Sequence, residues 1–230
     1  MAKKKKDTTN QNLENVESAL SKAELFIENN QKTITYVVLA IVLVVVGYFG
    51  YKRYIYQPRT VQAVQESFVA EQYFAKDSFR LALEGDGLNY GFLDIIDNYG
   101  NTPYGNLSKY YAGACYLNLE EYEAAIEYLK DFKSDDMMIG ANALGLIGDA
   151  SLEIDDTKNA VKYYDKAAEQ ANNEYLSPVY LMKKGQTLEI QGNYKKALDV
   201  YNTIEKEWYG TREQRSIEKY QERAKLELNE

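Results

Sequence analysis

The feature that most constrains this chain is a recurrence of small residues. Gly113, Gly148 and Gly185 are each followed at a near-constant distance by Ala125, Ala160 and Ala197, and each set recurs after 35 and then 37 residues. Turn chemistry lies between them: Asp155-Asp156 in the second segment and Gly192-Asn193 in the third. Large residues keep their own offsets, with Tyr116 and Leu188 three after the glycine and Leu129, Tyr164 and Tyr201 four after the alanine. A period of this size is a helix, a tight turn and an antiparallel helix, with small residues where the two helices cross. One such unit cannot bury its apolar face alone, so units must stack.

These residues resemble the tetratricopeptide repeat (TPR) family across 106–210, as three units. That family places a tyrosine two or three before the second small residue; Tyr122 and Tyr194 keep it, and the second unit has Thr157 instead. Glu120 stands where the family often has glycine. Ser177-Pro178 is expected to open the third unit as N-cap and first helical residue. Upstream, Ala70, Tyr73, Phe79, Ala82 and Leu83 repeat the offsets as a degenerate unit within 57–105, where a short helix over 92–96 fills extra length. Downstream, Thr211 and Gln214 form a capping box that opens a terminal helix over 211–230 with Ile217, Tyr220 and Ala224 on one face. Nothing reads as strand. The expected fold is all-α: a TPR-like helical solenoid of about ten helices preceded by a single transmembrane helix.

The transmembrane expectation rests on 34–51, eighteen residues without a charge. As a helix they span about 27 Å, close to the hydrocarbon thickness of a bilayer. Tyr36 marks one end, and Tyr48, Phe49, Tyr51, Tyr54 and Tyr56 crowd the other, so the anchor is assigned to 33–56. The preceding segment, 1–32, is too long for the charged start of a signal peptide, and Lys52-Arg53 follows where a small-residue cleavage site would stand. An uncleaved anchor is expected. Six lysines precede the span against Lys52, Arg53 and Arg59 after it, which places the N-terminus in the cytoplasm and the rest outside it.

Within the tail, Leu13, Val16, Leu20, Ala23 and Ile27, with Phe26 beside them, form an amphipathic helix that Asn29-Asn30 is expected to interrupt. It either lies on the lipid bilayer or docks on a membrane partner.

Composition narrows the chemistry. There is no histidine and one cysteine, Cys115, which removes histidine-based triads, histidine zinc sites and intrachain disulfides. No metal, cofactor or catalytic residue is expected. Gly85-Asp86-Gly87 and the Asp135-Asp136 and Asp155-Asp156 pairs read as helix connections and caps. From residue 54 onward 30 acids face 19 bases, so no nucleic acid partner is expected. What remains is a binding surface. In TPR solenoids the first helix of each unit lines a concave groove. By that resemblance the groove presents Leu107, Tyr110, Tyr111 and Leu117, then Asn142, Leu146, Asp149 and Leu152, then Val179, Met182, Lys183 and Gln186. Lys183 alone fits the basic carboxylate clamp of the family's chaperone co-factors. The groove is otherwise apolar and aromatic, suited to hydrophobic segments, unless the solenoid's own helices fill it.

A short tail, one span and an acidic TPR body resemble the YfgM-like family of ancillary SecYEG translocon subunits, an architecture in which the anchor enters a long first helix through 54–58. That resemblance implies a bacterial inner-membrane protein with a periplasmic C-terminal domain. It also implies partners: the translocon, a PpiD-type membrane-anchored chaperone and exported polypeptides. The alternative is a structural scaffold subunit of another bacterial envelope assembly or secretion complex.

Overall fold

The structure, a computed structural model, describes the backbone of residues 3–228 and the side chains of 16, 18–22 and 24–228. It divides into two compact units, Met1–Pro58 and Arg59–Glu230. Among the described residues all regular structure is helical.

The first unit is helix α1 (Lys3–Tyr51), continued by a π-helical turn, Lys52–Tyr56. The expected break at Asn29-Asn30 does not occur. Asn30 donates its amide to the Phe26 carbonyl at 2.9 Å and Thr35 its hydroxyl to Gln31 at 2.8 Å, so these polar side chains bond along the helix. With no proline or glycine nearby, nothing forces the backbone out of register. The apolar part has a mean hydropathy of 2.3 and no buried share, which makes the helix long and apolar enough to cross a membrane.

The second unit is built by α2 (Gln57–Phe74), α3 (Phe79–Glu84), α4 (Phe92–Tyr99), α5 (Pro103–Asn118), α6 (Tyr122–Asp131), α7 (Ile139–Glu153), α8 (Thr157–Ala171), α9 (Ser177–Ile190), α10 (Tyr194–Glu207), α11 (Arg212–Arg215) and α12 (Ile217–Leu228). The pairs α5/α6, α7/α8 and α9/α10 are the three hairpins expected from the spacing.

One turn joins each pair. Glu121, Asp156 and Asn193 donate their backbone N–H five residues back, to Tyr116, Ser151 and Leu188, at 2.8–2.9 Å. The residue before each, Glu120, Asp155 or Gly192, is left-handed with φ of 62°, 59° and 70°. This is the Schellman ending, which satisfies carbonyls that a helix terminus otherwise leaves open. The alanine four residues on then donates back to Glu121, Asp156 or Asn193 and starts the second helix. The same device recurs between α2 and α3: Ser78 N–H bonds to Tyr73, Asp77 has φ of 57°, and Ala82 follows. A fourth unit is therefore written in the backbone as well as in the sequence offsets.

That unit is truncated. Its second helix stops at Glu84, where Gly85 turns with φ of 81°. Asp86 then accepts from the backbone N–H of Leu88 and Asn89 and from the Tyr73 hydroxyl, which ties the connection into a fixed loop. These bonds hold the Asp86 carboxyl well below the usual carboxylate range. Helix α4 supplies the missing apolar surface through Phe92 and Ile95, both fully buried.

The repeated glycines sit where a helix of each pair presses on its mate. A Cβ at Gly148 would stand 2.6 Å from the Tyr164 ring; one at Gly185 would collide with Tyr201, and one at Gly113 with Leu129. These are the residues four after the repeated alanine, each at most 2 % exposed. Burying an aromatic side chain removes roughly 150–250 Å² from water, about 4–6 kcal/mol as an upper bound. The glycines make room for that burial.

Three capping expectations need correction. Ser177 does not cap α9, since Leu176 occupies that position. The Ser177 hydroxyl instead donates to the Ala168 carbonyl at 2.8 Å and accepts from Asn173 N–H, tying α9 to the end of α8. At α11 Thr211 caps Gln214 N–H, but the Gln214 side chain reaches Gly210 N–H rather than closing the box on Thr211. The cap expected at Asp156 is present, its carboxylate accepting from Asn159 N–H, whereas at α7 Met138 holds the cap position and Asp136, two residues before it, accepts from Met138 and Ile139 N–H in the preceding turn.

Candidate protein-binding groove

The first helices of the three units are α5, α7 and α9. Counted from the repeated glycine, three register positions stay partly open, two of them on all three helices. Six before it stand Leu107, Asn142 and Val179; two before it, Tyr111, Leu146 and Lys183; one after it, Asp149 and Gln186 in the second and third units. All eight are half-buried, as are Leu117 and Leu152 further along α5 and α7. In the first unit the last position is Ala114, which is buried.

The position three before the glycine behaves differently, because it is already packed against other parts of the solenoid. In the second unit it is Gly145, and a Cβ there would collide with the Tyr180 ring. In the third it is Met182, which is buried among Leu188, Ala197, Val200 and Ile204. In the first it is Tyr110, whose hydroxyl donates to Asn142 Oδ1 at 3.2 Å and whose ring packs on Phe132. Tyr111 is also engaged: it stacks on Phe92 at 4.8 Å between centroids, 7° from parallel, and meets Phe74 edge-on. Its ring joins α5 to the truncated unit. The partly open face is therefore built from Leu107, Asn142, Leu146, Val179, Lys183 and Gln186, with Tyr110 along its edge.

Charge on this face is organised in one place. Asp149 accepts from Lys183 Nζ at 2.7 and 2.8 Å and from the Tyr164 hydroxyl at 2.7 Å. Lys183 also lies over the Tyr164 ring, 5.7 Å from its centroid. One carboxylate thus links α7, α8 and α9. Burial, with Asp149 close by, pushes the Tyr180 phenol up to about 12 and holds Tyr164 above the usual tyrosine range. Both phenols stay protonated at neutral pH, and Tyr164 keeps donating to Asp149.

Sequence reasoning placed Asp149 and Lys183 on this face but did not pair them. The signal was present: opposite charges one repeat apart, on neighbouring first helices. It also missed Tyr180, since Gly145 looks incidental until the ring that fills it is seen. Cys115 is buried, and burial pushes its thiol up to about 12, as expected of an unreactive core cysteine. On α1 Val16, Leu20, Phe26 and Ile27 are exposed, and the Leu13 side chain lies outside the described residues.

Stacked helical hairpins with a glycine–alanine crossing, a Schellman turn and a partly open first-helix face define a TPR-like fold. Residues 141–174, which are α7, α8 and their connection to α9, match the tetratricopeptide repeat family model. Two crystal structures of MamA are similar to the chain. One aligns with a TM-score of 0.50 at 20 % identity, over 70 % of this chain and 95 % of that one. The other aligns with a TM-score of 0.52 at 19 % identity, over 73 % and 92 %. At such identity the likeness is one of fold. A search of curated proteins finds no match. The tetratricopeptide repeat points to a protein-interaction adaptor, and the chain also carries an apolar N-terminal helix.

Proposed function

We propose that this chain is a membrane-anchored adaptor of the protein-export machinery, an ancillary subunit of the SecYEG translocon with chaperone-like contacts to exported polypeptides. The 34–51 segment is its anchor in a bacterial inner membrane, the tail is cytoplasmic, and residues 59–230 face the periplasm. The observation that carries the reading is the first-helix face: Leu107 and Val179 share one register position and Leu146 stands four residues further along its helix, all half-buried apolar side chains, with Asn142 and Gln186 among them. Such a stripe suits an extended or helical apolar segment, whose backbone the two amides can bind. Lys183 is held by Asp149, so a basic clamp for a terminal carboxylate is a poorer fit.

Affinity isolation of the full chain from detergent-solubilised membranes tests it. Translocon subunits and a PpiD-type membrane-anchored chaperone are the expected co-purifying proteins. Recovery of subunits from another envelope assembly, without the translocon, would replace this reading with that of a structural scaffold. A reporter active only outside the cytoplasm, fused after Glu230, should be active; activity of a cytoplasmic reporter alone would reverse the orientation.

A further inference from the structure

We propose that α1 self-associates, as a parallel coiled coil formed with the same helix of further copies of this chain. The inference is independent of which machine the adaptor serves. Leu13, Val16, Leu20, Ala23, Ile27, Asn30 and Ile34 alternate at three and four residues without a slip. That is a heptad seam with Leu13, Leu20, Ile27 and Ile34 at one core position and Val16, Ala23 and Asn30 at the other. A strict seven-residue repeat drifts about 20° per heptad from a straight helix, so it stays on one face only when helices wind around each other. The unbroken course of α1 through residues 29 and 30 keeps both halves of the seam in one register. Of the described seam side chains, Val16, Leu20 and Ile27 are 56, 64 and 56 % exposed, and Asn30 and Ile34 are half-buried.

Charge selects the occupant and its direction. Between residues 13 and 32 four glutamates stand against two lysines, an unfavourable face to lay on anionic lipid, where basic residues are wanted. Glu17 and Glu24 flank the seam on one side, and Ala19, Phe26 and Thr33 on the other. In a parallel pair the facing flanks are Ala19 with Glu24 and Phe26 with Gln31, so no like charges meet. In an antiparallel pair the glutamates would oppose each other. Asn30 is the one polar seam residue in this stretch, the device by which coiled coils fix register at some cost in stability. One N–H of its amide bonds to Phe26, and the second N–H and the carbonyl oxygen are the groups that would pair across the seam.

The test is disulfide scanning of the full-length chain in membranes, in a Cys115→Ala background, with one cysteine introduced at a time from residue 16 to residue 34. Leu20→Cys, Ile27→Cys and Asn30→Cys should give homodimer bands several-fold stronger than Ser18→Cys, Leu25→Cys and Lys32→Cys. Leu25 is the sharp control, because it is apolar but opposite the seam. Equal bands at all positions, or none, would overturn the proposal. So would crosslinks only to other proteins, or protection of Leu25 and Phe26 together in a lipid-exposure assay, which is the pattern of a helix lying on the bilayer. Asn30→Val provides a second reading. Sedimentation equilibrium in detergent should change from one defined stoichiometry to a tighter or mixed one, and an unchanged monomer in both forms would contradict self-association.

Discussion

The ring of Tyr164 occupies the space that a side chain at Gly148 would need: a Cβ there would stand 2.6 Å from the ring. The two residues belong to the paired helices of one repeat, and the same relation holds between Gly185 and Tyr201. Close packing has no slack for the added carbon.

Gly148→Ala should therefore destabilise the domain by about 1–3 kcal/mol, the usual cost of overpacking. Neighbouring repeats lean on each other, so unfolding should spread beyond the second unit. Urea denaturation followed by circular dichroism measures both. A variant as stable as the parent would mean that the helices of this pair can separate freely.

The turns make an opposite prediction. Glu120 carries φ of 62° at a position where Gly192 serves in the third unit. A left-handed residue other than glycine costs roughly 1–2 kcal/mol, so Glu120→Gly should raise stability by about 1 kcal/mol once glycine's chain entropy is counted. Gly192→Ala should lower it. Stabilisation by both, or by neither, would contradict the turn assignment.

At Asp149 the expected result is non-additivity. Asp149→Ala leaves the buried Tyr164 hydroxyl and Lys183 without their acceptor, and an unsatisfied buried group costs about 1–3 kcal/mol. Adding Tyr164→Phe removes the stranded hydroxyl, so the double variant should cost less than the sum of the single ones. Strict additivity in a double-mutant cycle would show that the network is not shared.

Alkaline pH should unfold the domain more readily than its lysine content alone implies. Tyr180 is pushed up to about 12 from 10.0, with burial the main cause, and Tyr164 and Tyr201 are raised as well. An acid whose folded pKa is raised keeps its proton in the folded state while the unfolded state loses it. Stability is full below the unfolded value near 10 and falls as pH climbs toward the folded value. Denaturation midpoints should drop from about pH 10 upward, and Tyr180→Phe should flatten the slope. The same slope in that variant would assign the loss to other groups.

Most of the solenoid was legible because its determinants are local and periodic. The glycine–alanine spacing marked three hairpins, and the offsets of Ala70 and Ala82 marked the fourth. The turns were legible in place but not in conformation: Glu120 and Asp155 are left-handed although neither is glycine. The course of α1 through Asn29-Asn30 was obscured for a different reason. Asparagine is a weak helix former by propensity, yet its side chain can bond to the carbonyl four residues back, as Asn30 does to Phe26. On the first-helix face the sequence could place residues by register but could not say which were already engaged. Tyr111 and Met182 look like groove residues in one dimension. Phe92 and Phe74 claim the first, and the third-unit core claims the second.

In the proposed function the first-helix face takes an apolar segment of another polypeptide. A photo-crosslinking residue placed at Leu146 in the membrane-embedded full chain tests it most directly, with Lys166 on α8 as the exposed control. The expected result is a defined set of protein adducts from Leu146 and few or none from Lys166, with the Leu146 adducts lost on adding Val179→Asp while helicity is retained. Equal labelling at both positions, or no adduct at Leu146 in a fully helical protein, would contradict it.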